Sequence, residues 1–236
     1  MTGASTNKEG ISIIIPIYNE AERLPAFITL LFDTLESNHY QIIFVDGGSK
    51  DDSCKIIQAN PSCSLIHSKK GRAIQMNTGA KKAHYPLLYF IHVDSIPPKG
   101  FDQILLDQFK QGQKAGCFQM QFDHDHVALN WAAFATKYNT RFCRSGDQSL
   151  FIEKSLFEHL KGFDERYHVC EDVEFIDRLY QLNQFTVLEQ KITTSARRFK
   201  ENGIWRLHFH HGLIHLMRYF GIGPKRLYQY YLRFVK

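Results

Sequence analysis

The chain has 236 residues, 44% of them apolar and 22% charged, with a formal net charge of +5. That length allows one large domain or two small ones, and the composition excludes intrinsic disorder and collagen-like repeats. No apolar run approaches the ~18 residues needed to cross a bilayer, and the polar start MTGASTNKEG lacks the apolar stretch of a secretory signal, so a cytoplasmic protein is expected.

In chain order, residues 11–17 (ISIIIPI), 41–45 (QIIFV) and 87–93 (LLYFIHV) are near-continuously apolar, the pattern of strands buried on both faces of a parallel sheet. Between the first two, Leu24, Phe27, Ile28, Leu31 and Leu35 recur at helical steps, predicting a helix over 21–35 that packs on that sheet. Helices are expected over 51–58 and 71–83, with a short strand over 64–67 between them. Farther on, 117–122 reads as a strand, 128–142 as a helix and 148–152 as a strand. Val173, Ile176, Leu179 and Tyr180 mark another helix. Helical patterning then fills 205–219 and 225–234, broken at Gly221-Ile222-Gly223-Pro224. Alternating strands and helices imply right-handed crossovers and a three-layer α/β sandwich with a mostly parallel sheet. The simplest division is a flexible start (1–10), one α/β domain (11–200) and a helical C-terminal appendage of that domain (201–236).

Five scattered cysteines (Cys54, Cys63, Cys117, Cys143, Cys170), with no CxxC pair, argue against a disulfide framework or a structural zinc site. The charge is uneven. Residues 191–236 hold ten Lys/Arg and one acid, Glu201, whereas the rest holds 19 basic and 23 acidic residues. Such a cationic segment calls for an anionic partner.

Polar residues follow the early strands: Tyr18-Asn19-Glu20, then Asp46-Gly47-Gly48-Ser49 with Asp51, then Asp94-Ser95. Taken singly, Glu20 equally suits the first turn of a helix, Asp46-Gly47-Gly48 a plain turn, and Asp94-Ser95 a helix cap. Together they fall at the carboxyl ends of parallel strands, the edge where open α/β sheets bind ligands.

Pro16-Ile17-Tyr18-Asn19-Glu20, Val45-Asp46-Gly47-Gly48-Ser49-Lys50-Asp51, His92-Val93-Asp94 and the stretch 71–80 (GRAIQMNTGA) resemble the signature of family 2, GT-A-fold glycosyltransferases. Gly146-Asp147-Gln148, Gly162-Phe163-Asp164-Glu165, Glu171-Asp172-Val173-Glu174 and Ser195-Ala196-Arg197-Arg198-Phe199 resemble a small bacterial subgroup, the radical-SAM/selenodomain-associated transferase 2 type. The resemblance implies a metal-assisted, inverting transfer of a sugar from a nucleoside diphosphate to an acceptor hydroxyl. It assigns donor binding to Pro16, Tyr18, Glu20, Asp46, Gly47, Arg72, Asn77, Arg197 and Arg198. The acceptor side falls to Asp147, Gln148, Asp164 and Glu165. The catalytic pair it implies is Glu171-Asp172, with Asp172 as base, a role only a positioned carboxylate can fill, whereas residue types alone equally suit two acids complementing the dipole of the helix they open. Asp94, with His92 beside it, would hold a divalent cation. The usual DxD motif carries one carboxylate fewer here, and the imidazole favours Mn²⁺ over Mg²⁺. His92 equally suits a packed strand histidine, and Arg72 and the Arg197-Arg198 pair equally suit a solvated surface.

The tail carries His208, His210, His211 and His215, but no acidic partner accompanies the i,i+4 pair His211/His215, which argues against zinc. Its arginines, lysines and aromatics suit peripheral contact with an anionic lipid surface at the inner membrane face, a lid over phosphates, or a subunit interface. Nucleic acid is not expected, since no recognised module accompanies the charge. Two other readings stand beside the glycosyltransferase: a nucleotidyl- or phosphosugar-transferase on the same fold, and a catalytically silent nucleotide- or membrane-binding module. A dehydrogenase is disfavoured, because no GxGxxG follows the first strand.

Overall fold

The computed structural model describes residues 9–235, so residues 1–8 of the expected flexible start, and Lys236, lie outside the described part. The first half alternates as expected: β1 (Ile11–Ile17), α1 (Leu24–Thr34), β2 (Tyr40–Asp46), α2 (Ser53–Gln58), β3 (Cys63–His67), α3 (Arg72–Lys82) and β4 (Leu87–Phe90). Along β1, Ile13, Ile15 and Ile17 face one core with Leu24, Phe27 and Leu31 of α1, while Ile14 faces the other with Ala73, Met76 and Ala80 of α3. Both faces of the strand are covered by helices, which is why its sequence is apolar without alternation. α3 lies close on the sheet at Gly79, where a Cβ would run into Ile14.

The second half comprises β5 (Ser95–Ile96), α4 (Phe101–Lys110), β6 (Ala115–Phe122), α5 (Val127–Ala135), β7 (Leu150–Glu153), α6 (Lys154–His159), α7 (Glu171–Gln181), β8 (Thr186–Thr194), α8 (Arg197–Asn202), α9 (Ile204–Tyr219) and α10 (Pro224–Phe234). The eight strands form one sheet in the order β3-β2-β1-β4-β7-β6-β8-β5. It is mixed: β7 lies antiparallel between β4 and β6, and β5 is antiparallel to β8. A third apolar cluster joins Leu129 of α5 and Phe199 of α8 to Leu207 and Ile214 of α9 and Leu227 of α10.

Three local differences from the sequence expectation bear on the site. The strand expected over 87–93 ends at Phe90, where pairing with β1 stops at Ile14. Residues 92–95 instead form a turn closed by Ser95 N donating to His92 O (3.1 Å), which carries His92 and Asp94 off the sheet edge. The helix expected over 128–142 ends at Ala135, because Arg144, only 2% exposed, gathers the carbonyls of Thr136 and Tyr138 (2.6 Å each) and of Thr140 (3.3 Å). β8 (TVLEQKITT) has no apolar run to announce it, yet its pairing with β6 brings Thr194 and Ser195 beside Asp94.

Candidate active site

The loops after β1 and β2 are tied to each other. Asn19, held at φ +54°, donates its N–H to Ser49 Oγ (2.9 Å) and accepts from Lys50 N (2.8 Å), while Glu20 N donates to Ser53 Oγ (2.8 Å). Beneath them Gln75 of α3 donates from Nε2 to both Ile17 O and Val45 O (2.7 Å each), fixing the strand ends side by side. Gly47 lies directly over that amide. Asp46 is 2% exposed, and its carboxylate accepts from Gly48 N and Ser49 N (3.0 Å each) and lies 3.2 Å from His67 Nδ1. Burial opposes its ionisation, but the bonds from Ser49, Gly48 and His67 outweigh that and hold its pKa below the usual carboxylate value. Asp46 therefore sits under the loop and organises it, rather than standing open beside Glu20 and Asp94. Tyr18 presents its ring to Lys70, whose Nζ lies 3.5 Å from the ring centroid.

Glu20 and Asp94 do share a field. Burial raises the Glu20 carboxyl above its ordinary range, Arg23 draws it back, and Asp94 adds to the rise. Asp94 opens on a cavity of about 590 Å³ lined also by Arg23, Asp123, Ser195 and Arg197. Its main chain is pinned there, since Asp94 O accepts from Ser195 N (2.9 Å).

A smaller cavity, about 120 Å³, is bounded by Arg72, Asp147, Asp172, Arg198, His211 and Tyr231. Cys170, at φ +60°, precedes α7, a strained position for a residue with a side chain. That backbone sets Glu171 and Asp172 in the first turn, where the helix dipole favours negative charge. Glu171 is fully buried and makes no hydrogen bond; its charge partner is Arg72 Nε at 2.7 Å. Burial raises its pKa, Arg72 only partly offsetting the effect. For Asp172 burial is again the largest influence, yet His92 and Arg72 outweigh it and the pKa falls below the usual value. His92 Nε2 lies 3.9 Å from Asp172 Oδ2, too far for a direct hydrogen bond but close enough for charge. In turn, burial works against a charged His92, and Asp172 overcomes it and raises the imidazole's pKa. Asp147 lines the same cavity and feels Asp94: burial and then the charge of Asp94 raise its pKa. His211 faces the same space, its pKa lowered to about 4 by burial and by Arg198.

Several expected site residues lie elsewhere. Pro16 is buried inside β1, where its missing N–H falls past the end of the pairing with β4 and leaves no ladder bond unmade. Gln148 is buried, its amide accepting from Ser145 N and donating to Phe118 O, so it has no free edge for an acceptor. Asn77 donates to Phe163 O (2.9 Å) and Glu165 Oε1 (3.0 Å) and accepts from Phe163 N (2.9 Å). It thus staples the 162–165 turn to α3 rather than reaching a donor. Asp164 is engaged by Arg166. Asn77 and Glu165 line a separate cavity of about 280 Å³ that shares no lining residue with the other two. Arg197 and Arg198 diverge, the first to the Asp94 cavity and the second, donating to Tyr231 OH (2.7 Å), to the Asp172 cavity. Gln75 and Asp123 are not among the residues the sequence points to, yet Gln75 fixes the strand ends and Asp123 accepts from Ala196 N. Gln75 stood within a recognised segment, whereas Asp123 carries no local signal.

A cation at Asp94 fits the chemistry of this region. Asp94 adds to the burial that raises the Glu20 and Asp147 carboxyls, and positive charge held at Asp94 would relieve that repulsion. One carboxylate leaves the remaining positions of a hard cation to phosphate and water oxygens. Among the described residues, the group with three ligating atoms within 4.8 Å of one another is Asp46, Cys54 and His67. Burial and Asp46 raise the Cys54 thiol, so it favours the protonated form, which is a poor metal ligand.

Residues 12–161 match the family model described as Glycosyl transferase family 2. The Shewanella sediminis undecaprenyl-phosphate 4-deoxy-4-formamido-L-arabinose transferase is 38% identical over 55 residues, 22% of this chain and 17% of the relative. The Staphylococcus epidermidis poly-beta-1,6-N-acetyl-D-glucosamine synthase is 26% identical over 113 residues, 46% of this chain and 27% of the relative. The chain thus spans roughly a quarter or less of the length of these curated relatives. Among solved structures, S. aureus TarS 1-349 in complex with UDP-GlcNAc superposes with a TM-score of 0.65 at 17% identity, covering 79% of this chain and 58% of that one. Mannosyltransferase PcManGT from Pyrobaculum calidifontis, in complex with GDP-Man and Mn²⁺, superposes with a TM-score of 0.68 at 16% identity, covering 96% and 70%. The α/β fold expected from the sequence, of the GT-A type, is the fold these structures share with the chain.

Proposed function

The chain belongs to glycosyl transferase family 2, and from that premise we propose that it moves a sugar, with inversion, from a nucleoside diphosphate to an acceptor hydroxyl. The observation that carries this reading is Asp172: a buried carboxylate on a cavity, kept ionised between His92 and Arg72. A base must begin deprotonated, and these neighbours keep it so. Asp172 takes the proton of the acceptor hydroxyl; that oxygen bonds to the anomeric carbon, and the bond to the diphosphate breaks with its electrons leaving on the diphosphate. Arg72 and Arg198 supply fixed positive charge on the Asp172 side, and Arg23 and Arg197 on the Asp94 side. Asp94 would hold a divalent cation, Mn²⁺ or Mg²⁺, which adds charge against the departing diphosphate. Glu20 and Tyr18 stand at the nucleoside end, with Asp46 and Gln75 shaping the loops beneath.

The ordered motifs from Gly146 to Phe199 support placing the chain in the radical-SAM/selenodomain-associated transferase 2 subgroup. The charge of residues 191–236 supports a cytoplasmic enzyme whose basic C-terminal segment contacts the inner face of a membrane peripherally. No helix among the described residues is long and apolar enough to cross one.

Release of nucleoside diphosphate from a donor sugar tests the reading. Asp172→Asn should lower that rate by about 10²–10⁴-fold, and Asp94→Ala should abolish its stimulation by Mn²⁺, with circular dichroism unchanged in both. Undiminished turnover in Asp172→Asn, or release of pyrophosphate instead, would sink it.

A further inference from the structure

The chain's two tryptophans, Trp131 and Trp205, are 70% and 69% exposed. Neither stands alone. On α5 the exposed Val127, Trp131 and Phe134 recur at helical steps, and exposed Tyr138 and Phe142 continue the row through the turns that follow. On α9 Trp205, Phe209, Leu216 and Tyr219 form a second exposed row. The rows meet at both ends, His126 against Trp205 (6.0 Å between ring centroids) and Phe142 against Tyr219 (5.9 Å), so the two elements run side by side in one direction. An apolar face of this extent, made from two packed elements, marks an interaction surface rather than scattered exposure.

Its charge names the occupant. Lys137 Nζ lies 3.6 Å from the Phe134 ring centroid, and the Arg141 guanidinium lies 4.9 Å from that of Phe142 and 5.5 Å from that of Tyr219. Arg206 is exposed next to Trp205. No Asp or Glu occurs in residues 126–145, nor anywhere after Glu201. A second copy seated on this face by a two-fold axis would set cations against cations. An anionic bilayer accepts both components, rings at the headgroup level and Lys/Arg on lipid phosphate. We propose that the face shared by α5 and α9 docks the chain on a bilayer rich in anionic phospholipid. This deepens the peripheral contact proposed for the C-terminal segment, placing its centre on α5 and α9 rather than on α10, and it does not depend on the transferase chemistry. On its flank α9 also lines the Asp172 cavity with His211 and His215, about a quarter of a turn or more from the exposed row, so docking sets that cavity beside the lipid face.

Because both tryptophans lie in the face, their emission reports on it directly. Vesicles containing phosphatidylglycerol should shift it to shorter wavelength and sediment the protein, and pure phosphatidylcholine vesicles should do neither. Trp131→Ser/Trp205→Ser should lower the sedimented fraction about tenfold while keeping the parent melting temperature, and Asp172→Asn should bind as the parent does. Three results would overturn the proposal: no shift and no sedimentation at low salt; binding lost in Lys225→Gln/Arg226→Gln but kept in the double tryptophan variant; or a dimer, without vesicle binding, that the tryptophan variant dissociates.

Discussion

Glu171 and Asp172 are adjacent carboxylates whose surroundings push their pKa values apart. Glu171 is sealed against one guanidinium and rises, whereas Asp172 faces His92 and Arg72 and falls. Pairs separated in this way mark acid–base assignments. Glu171 serves Arg72: the ion pair holds a side chain that is itself 41% exposed, keeping the guanidinium at the cavity rim. His92 is accordingly the partner that keeps Asp172 ionised at low pH. In His92→Asn that support is gone, the Asp172 pKa rises, and the acid limb of kcat/KM moves to higher pH. A pH–rate profile checks it, and an unmoved acid limb would remove His92 from this role. Residue types put Glu171 and Asp172 at the start of a helix without ranking them, because His92 and Arg72 reach them from far along the chain; the choice of Asp172 comes from the family resemblance.

At the scale of elements, Arg144 shows how one buried side chain overrides local periodicity. Apolar residues continue at helical steps past Ala135, through Tyr138 and Phe142, which is why the sequence predicts a helix to residue 142. The buried guanidinium instead takes three carbonyls of the segment and ends the helix early. Its charge has no carboxylate partner among its hydrogen bonds; carbonyls and Cys117 Sγ satisfy it. Arg144→Leu leaves those carbonyls unpaired, at about 1–3 kcal/mol for each buried group. A loss of about 3 kcal/mol or more is therefore expected in urea unfolding, read as a lower midpoint with an unchanged slope. A loss below about 1 kcal/mol would show that water replaces the guanidinium.

For the molecule as a whole, the candidate site has two cavities, one at Asp94 near the strand ends and the other, at Asp172, closed by the C-terminal helices. A ligand that binds only the folded chain raises its melting temperature. A nucleoside diphosphate at about a hundred times its Kd should contribute about 2.7 kcal/mol, or roughly 5–10 °C for a chain of this size. Part of that shift should require Mn²⁺ and vanish in Asp94→Ala. If none of UDP, GDP, dTDP or CDP moves the transition, with or without Mn²⁺, the strand-end cavity is not a nucleotide site. The sequence by itself determined the β1–β4 half of the fold and the order of the polar segments behind its strands. Apolar runs, helical spacing and strand-end residues are local signals, and local physics sets them. Tertiary structure alone decided that Asp46 and Gln75 hold loops, that Asn77 and Gln148 are structural, that Arg197 and Arg198 part company, and that β8 brings Ser195 to Asp94. Each of those outcomes rests on a hydrogen bond, charge or close contact across the fold, which residue types and spacing do not encode.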